Sequence, residues 1–225
     1  MRSIIVTGGF GILGRAVAET FRANGDRVAR IDFAPDAPDA NPGGLDIGGV
    51  DLTDGTAADA AVQQVIAEQG GIDVLVNVAG GFTWQTLTDG GPETWARMYA
   101  MNAATCVTMT KAALPTLAAT PGAAIVNIGA GSALLAGAGM GAYAASKSAV
   151  HKLTESLAAE LAGTDCTVNA VLPSIIDTPA NRADMPDADV SQWVQPASLA
   201  KVILFLASPG ARTISGALIP VSRGG

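Results

Sequence analysis

Tyr143 and Lys147 stand four residues apart at the start of a stretch, 143–161, whose apolar positions Ala149, Val150, Leu153, Leu157 and Leu161 recur at helical spacing. Residues four apart on a helix share a face, so a phenol and an amine would stand one turn apart. A phenol with its ordinary pKa near ~10 exchanges protons poorly at neutral pH. An ammonium beside it favours the phenolate and makes the pair a usable acid–base unit. Taken alone, such a pair is more often an ordinary helix face. Its meaning depends on what lies upstream.

Upstream is Thr7-Gly8-Gly9-Phe10-Gly11-Ile12-Leu13-Gly14. A short apolar run, 3–6, reads as a buried strand before it. Ala16, Val17, Ala18 and Phe21 recur at helical spacing after it. Strand, glycine turn and helix is the context in which Gly9-x-Gly11-x-x-Gly14 signifies a dinucleotide site. One glycine makes the tight turn, one lets backbone approach a pyrophosphate, and one packs helix on strand. The helix N-terminus offers free N–H groups and the positive end of its dipole to the phosphates. Gly8, Phe10, Gly11, Ile12 and Leu13 are therefore candidate cofactor-binding residues.

A second strand, 27–32, ends in Asp32, 18 residues beyond Gly14. A carboxylate there can accept hydrogen bonds from an adenosine ribose diol and would repel a 2′-phosphate. This favours NAD(H) over NADP(H), although Arg2, Arg15 and Arg30 lie nearby in sequence. Combined with such a cofactor, the phenol becomes the proton-transfer group of a hydride-transfer enzyme, and Lys147 can also donate to nicotinamide-ribose hydroxyls.

Composition narrows the remaining classes. The chain has 225 residues, 49% hydrophobic, with a net charge of −7 and no Lys/Arg block. This argues against nucleic acid or an anionic membrane as partner. No run approaches the ~18 apolar residues of a membrane span, and the first residues carry no signal-peptide pattern, so a cytoplasmic protein is expected. Two cysteines, Cys106 and Cys166, and one histidine, His151, make neither a disulfide framework nor a metal centre. Cys106 and Cys166 read as buried thiols and His151 as a packing or interface residue.

The elements that must position these groups alternate along the chain. Further strands are expected near 45–50, 72–77, 123–128, 166–172 and 216–221. Helices are expected near 56–69, 92–117, 143–161 and 196–207, with Pro115 ending or kinking the second and Gly163 stopping the third. This order predicts an α/β, doubly wound parallel sheet of Rossmann type in a single three-layer domain over 1–225. Residues 35–44 read as a loop. A polar, proline-rich stretch at about 174–195 is too long for a simple connection and reads as a substrate lid.

With these pieces in hand, the sequence resembles the short-chain dehydrogenase/reductase family over nearly its whole length. The resemblance is carried by the glycine loop, Asp51-Leu52-Thr53-Asp54, Asn77-Val78-Ala79-Gly80, Met101-Asn102, Tyr143-x-x-x-Lys147, the segment 173–178 and the closing 216–225. It implies a nicotinamide cofactor, a small-molecule substrate and a homotetramer or homodimer. It implies that Asp51 and Leu52 lie against the adenine and that Asn77, Ala79 and Gly80 line the cofactor. Asn102 would orient a relay water, Tyr143 act as acid/base with Lys147 beside it, and Pro173, Ile176 and Thr178 hold the nicotinamide end.

Three departures stand out. The glycines read Gly8-x-x-Gly11-x-x-Gly14, one residue tighter than the family's commoner spacing. The family's substrate-orienting serine, thirteen positions before the tyrosine, is Ala130 here, and Ser132 is the hydroxyl two residues later. Pro173-Ser174 replaces the usual Pro-Gly. A site without that serine suits a substrate polarised in some other way. In this it resembles the dihydropteridine-reductase branch, as do Ala79-Gly80-Gly81 before an aromatic and the run Asp177-Thr178-Pro179-x-Asn181-Arg182…Trp193. Reduction of a quinonoid pterin is thus an alternative reading, and a catalytically silent nucleotide-binding scaffold or sensor is another. Phe82 and Trp84 read as a stacking surface or a loop anchor, Trp193 as a lid or packing residue, and Arg182 as part of a local ion pair.

Overall fold

In a computed structural model of the chain, residues 1–223 are described. Seven strands form one sheet: β1 (Ser3–Thr7), β2 (Arg27–Ile31), β3 (Leu45–Ile47), β4 (Val74–Asn77), β5 (Ala124–Ile128), β6 (Thr167–Pro173) and β7 (Leu218–Val221). Their spatial order is β3-β2-β1-β4-β5-β6-β7, and every neighbouring pair is parallel. The helices are α1 (Ile12–Ala23), α2 (Gly55–Gln69), α3 (Pro92–Tyr99), α4 (Thr105–Ala119), α5 (Gly141–Glu160), α6 (Pro179–Asp184) and α7 (Pro196–Leu206).

The strands are apolar along their length because both faces of the sheet are covered. Alternate residues feed two separate cores. Ile5, Leu75, Ile125 and Val168 pack with Val62, Met109 and Leu157 from α2, α4 and α5. Ile4, Val76, Val126 and Val171 pack with Val17, Phe21, Leu199 and Ile203 from α1 and α7. Each such side chain removed from water contributes ~1.5–3 kcal/mol, and the two cores hold the three layers together.

The register Thr7↔Asn77 sets the carboxyl ends of β1 and β4 side by side. The chain winds one way from β1 to β2 and the other way from β1 to β4. In such sheets this reversal opens a crevice where ligands bind. The glycine loop follows β1 there, and residues 78–81 follow β4.

The expected single helix over 92–117 is three pieces. α3 gives way to a π-helical segment, Ala100–Ala104, before α4 begins. Pro115 does not end α4, which runs on to Ala119; the irregularity falls instead around Asn102. Gly163 does not stop α5 either, because Leu161 already stands at its C-cap. β3 is shorter than expected, ending at Ile47. The stretch 174–195 is an ordered excursion containing α6 and a short 3-10 turn, Val190–Gln192. An isolated parallel bridge, Ile176↔Val194, ties its two ends. The last two residues of the closing segment, Gly224 and Gly225, lie outside the described residues.

Candidate active site

The nucleotide cradle is built from backbone. Gly8 has φ +61°, and a Cβ there would stand 2.9 Å from the Ala79 backbone. A side chain is thus excluded by both conformation and space. A Cβ on Gly14 would run into the Gly8 carbonyl oxygen, so only glycine lets α1 begin against the loop. Gly11 is the N-cap of α1 without a capping side chain, and the first turn of α1 carries no acidic residue. Those N–H groups are the ones an anion would meet. Thr7 links the two sides of the crevice: its hydroxyl accepts from the N–H groups of Val78 (3.0 Å) and Ala79 (3.1 Å). Phe10 is nearly buried, Leu13 half-buried and Ile12 partly exposed.

Asp32 follows β2 and is half-buried. Its carboxylate accepts from the N–H of Phe10 at 2.9 Å and of Ala34 at 3.0 Å. Two of the three arginines nearby in sequence, Arg2 and Arg30, are committed elsewhere, whereas Arg15 Nε has no hydrogen-bond partner. Arg2 forms a bidentate pair with Asp26 (3.0 and 2.7 Å) at the opposite end of β1. Arg30 is 2% exposed, donates twice to Asp46 (2.8 Å each) and once to the Asp39 carboxylate (2.7 Å), and lies over the Phe10 ring at 5.6 Å. These carboxylates hold its guanidinium above its usual pKa. Arg15 lies 3.7 Å from Asp39. This cluster was not legible in sequence, because Asp39 and Asp46 come from a loop and a separate strand.

Tyr143 and Lys147 do share a face of α5. Lys147 is 5% exposed, and its ammonium donates to the Ile128 carbonyl at 2.8 Å. Burial pushes its pKa down to about 8 and pushes the Tyr143 phenol up to about 12. The free protein therefore holds a protonated phenol at neutral pH. Gly80 faces Lys147 and Asn102: a Cβ there would stand 2.5 Å from Asn102 Oδ1 and 3.4 Å from Lys147 Nζ. Phe82 meets the Tyr143 ring edge to face, with centroids 4.9 Å apart and an interplanar angle of 83°.

Asn102 sits in the π-helical segment, a device that often re-aims a side chain at functional sites. It is 1% exposed. Its carboxamide accepts from the Gly81 N–H and donates to the Gly81 carbonyl, both at 3.0 Å, and it donates to Ser146 Oγ at 3.0 Å. Ser146 in turn donates to the Tyr143 carbonyl at 2.7 Å. The side chain therefore clamps the β4 loop to the start of α5. Ser146 was missed in the sequence; its position directly before Lys147 was the available signal.

Several expected residues turn inward. Asn77 donates to Thr110 (3.0 Å) and Asn127 (2.9 Å) and belongs to a buried polar chain that continues to Thr154. Leu52 packs in the core beside α2. Asp51 is exposed, with its carboxylate accepting from the Thr53 backbone and hydroxyl, contacts that hold its pKa below the usual carboxylate value. Ala79 is half-buried at the crevice. Pro173 ends β6. The Ile176 carbonyl accepts from Asn181 Nδ2 at 2.7 Å, and Thr178 caps α6 by accepting from the Asn181 N–H. Arg182 pairs with Asp177 at 2.6 and 2.7 Å. Trp193 is 4% exposed, a packing residue at the far end of the excursion.

Ala130 occupies the expected serine position and is buried, its N–H donating to His151 Nε2 at 3.3 Å. Burial and the Lys147 charge lower the His151 pKa, which keeps it neutral and able to accept. Ser132 is not in an extended loop but in a half-buried 3-10 turn, Gly131–Ala133.

Residues 2–189 match the short chain dehydrogenase family. The chain belongs to this family. A meso-2,3-butanediol dehydrogenase of Serratia marcescens is 32% identical over 234 residues, covering 98% of this chain and 93% of the relative. A 3-oxoacyl-[acyl-carrier-protein] reductase of Thermotoga maritima is 29% identical, with coverage of 98% and 96%. The aldohexose dehydrogenase of Thermoplasma acidophilum shares the fold with a TM-score of 0.89 at 28% identity, covering 99% of this chain and 93% of that one.

Short-chain dehydrogenases bind NAD(P)(H), and the cradle around Gly8, Gly14 and Gly80 has room where side chains would otherwise intrude. The protein is therefore a short-chain dehydrogenase/reductase enzyme. Neither the pterin nor the silent-scaffold alternative gains support from these relatives, whose names are those of dehydrogenases and reductases. No helix among the described residues is long and apolar enough to cross a membrane.

Proposed function

We propose that this short-chain dehydrogenase transfers hydride between NAD(H) and a small carbonyl or alcohol, with Tyr143 as the acid/base. The observation that carries this reading is the half-buried Tyr143 one helical turn from the buried Lys147, whose ammonium faces Gly80 at the carboxyl edge of the sheet. The nicotinamide supplies or accepts the hydride. In reduction, the carbonyl oxygen gains charge as hydride arrives, and the Tyr143 phenol, held protonated by burial, gives it a proton. Lys147, one turn on, carries the positive charge that steadies the phenolate left behind. Asn102 holds the Gly81 backbone and, through Ser146, the start of α5, and we assign to it the placement of a relay water. Ser132 is the candidate second hydroxyl donor.

For the cofactor we place Gly8, Phe10, Gly11, Ile12 and Leu13 at the pyrophosphate. Asp32 is placed at the ribose and the exposed Asp51 beside the adenine. Ala79 and Gly80 follow along the crevice, and Pro173, Ile176 and Thr178 hold the carboxamide end. The segment 174–195 is the substrate lid. Preference for NAD(H) is supported by Asp32 and by the engagement of Arg30 with Asp39 and Asp46, which leaves that guanidinium no free edge for a 2′-phosphate. We place the working state as a homodimer or homotetramer acting on a small molecule.

The decisive experiment is Tyr143→Phe. NADH binding, followed by fluorescence, should persist while kcat falls at least 100-fold. Turnover within a few-fold of wild type would overturn the mechanism.

A further inference from the structure

The substrate's chemical class can be read from the two loops beside the phenol, given the hydride-transfer reading above, on which this inference rests. The first loop joins β4 to α3. Its Phe82 is in edge contact with Tyr143. Its Trp84 stays 59% exposed, although the indole N–H is anchored on the Ala138 carbonyl at 3.0 Å and the ring lies on Gly139. The second loop, between β5 and α5, carries Leu134 at 63% and Leu135 at 86% exposure. The Gln85 N–H donates to the Gly139 carbonyl at 2.8 Å, joining the loops into one wall.

The wall carries little charge: in the first loop Asp89 accepts from Thr86, and Arg97 of α3 reaches Thr83 at 3.2 Å. Residues 74–88 and 129–146 contain no Asp, Glu, Lys or Arg. In the segment 174–195, Arg182 is spent on Asp177, which also accepts from Gln195. At the serine position the side chain is the Ala130 methyl, and its N–H is taken by His151. The Phe82 and Trp84 rings offer a sugar or polyol no hydrogen-bond partner, and neither loop itself contributes a Lys or Arg for an anionic acyl carrier. An indole fixed by its edge with the ring accessible offers a preorganised stacking plane at low entropic cost.

We infer that the substrate is an uncharged, apolar carbonyl compound bearing an aromatic or conjugated group that stacks on Trp84. In the reductive direction the carbonyl carbon gains hydride from NADH, the π pair moves to oxygen, and the oxygen takes the Tyr143 proton. One NADH is oxidised for each alcohol formed, and solvent returns the proton to Tyr143.

The test measures NADH oxidation by the full-length protein with 1-phenylpropane-1,2-dione, butane-2,3-dione, glucono-lactone and acetoacetyl-coenzyme A. NADH binding is measured separately by fluorescence. The phenyl diketone should give a kcat/KM at least tenfold above each of the other three. Trp84→Ala should reduce the phenyl-to-methyl diketone preference about tenfold, mainly through KM, and Trp84→Phe should keep it within threefold. If NADH binds and the lactone, the thioester or butanedione is the best substrate, this inference fails and the hydride-transfer reading stands. An equal loss on both diketones in Trp84→Ala would also overturn it. Failure of the wild type to bind NADH overturns both readings.

Discussion

The Asp32 carboxylate accepts the backbone N–H of Phe10 at 2.9 Å and so fastens the end of β2 to the middle of the glycine loop. In the cofactor placement proposed above, this one side chain both shapes the phosphate cradle and presents a negative charge to the adenosine ribose. Asp32→Ala should weaken NADH binding about tenfold and narrow the discrimination against NADPH. Parallel titrations with NADH and NADPH check this, and an unchanged ratio would remove Asp32 from cofactor selection.

Gly14 and Gly163 make a matched pair of substitutions. A Cβ on Gly14 meets the Gly8 carbonyl, whereas a Cβ on Gly163 meets nothing within 4 Å. Gly14→Ala forces α1 away from the loop, and overpacking of this kind costs ~1–3 kcal/mol. A lowered Tm with at least tenfold weaker NADH binding is expected. Gly163→Ala should leave binding unchanged and shift stability by less than ~1 kcal/mol. Calorimetry and nucleotide titration on the two variants decide the matter.

Lys147 predicts a pH dependence of stability. Its folded pKa of about 8 lies below the ordinary 10.5 because burial disfavours the ammonium. Below pH 8 both states are protonated and the folded state bears the full cost of the buried charge. Between about 8 and 10.5 the unfolded chain holds a proton that the folded one has released, so unfolding free energy rises with pH. At 1.36 kcal/mol per unit this amounts to at most ~3 kcal/mol. Tyr143, raised to about 12, acts oppositely above pH 10. Lys147→Met should therefore have a higher Tm than wild type at pH 6, a gain reduced by the orphaned Ile128 carbonyl. The advantage should shrink by pH 10, and turnover should drop at least 100-fold. A Tm difference independent of pH would contradict the assignment.

Ala130 and Ser132 separate two accounts of the missing serine. If Ser132 supplies the second donor, Ser132→Ala should lower kcat by roughly 100- to 1,000-fold, the range for losing an oxyanion contact. If it does not, Ser132→Ala should change kcat less than threefold, and Ala130→Ser should raise activity on unconjugated ketones. Steady-state rates on one conjugated and one unconjugated ketone distinguish the two.

Much of the molecule was legible in one dimension because its signals are local. Hydrophobic runs, the Gly8-x-x-Gly11-x-x-Gly14 spacing and a phenol four residues before an amine are set by backbone geometry over a few residues. From them came the parallel sheet, the crevice and the Tyr143–Lys147 pair on one helix face. Asp32 at the strand end was equally readable.

What only the tertiary structure decided depends on residues distant in sequence. Pattern gave a continuous helix through 92–117, but Asn102 bonds to Gly81 and Ser146, and the helix takes up a π segment around it. Arg30 looked available for a phosphate until β3 and the loop before it brought Asp46 and Asp39 onto it. Asn77 and Leu52 fit the cofactor motifs yet point into buried contacts. Sequence determined which groups stand on each element; the competition for hydrogen bonds and space among elements determined which of them remain free for a ligand, because a buried donor or charge takes whichever partner the packed fold brings within reach.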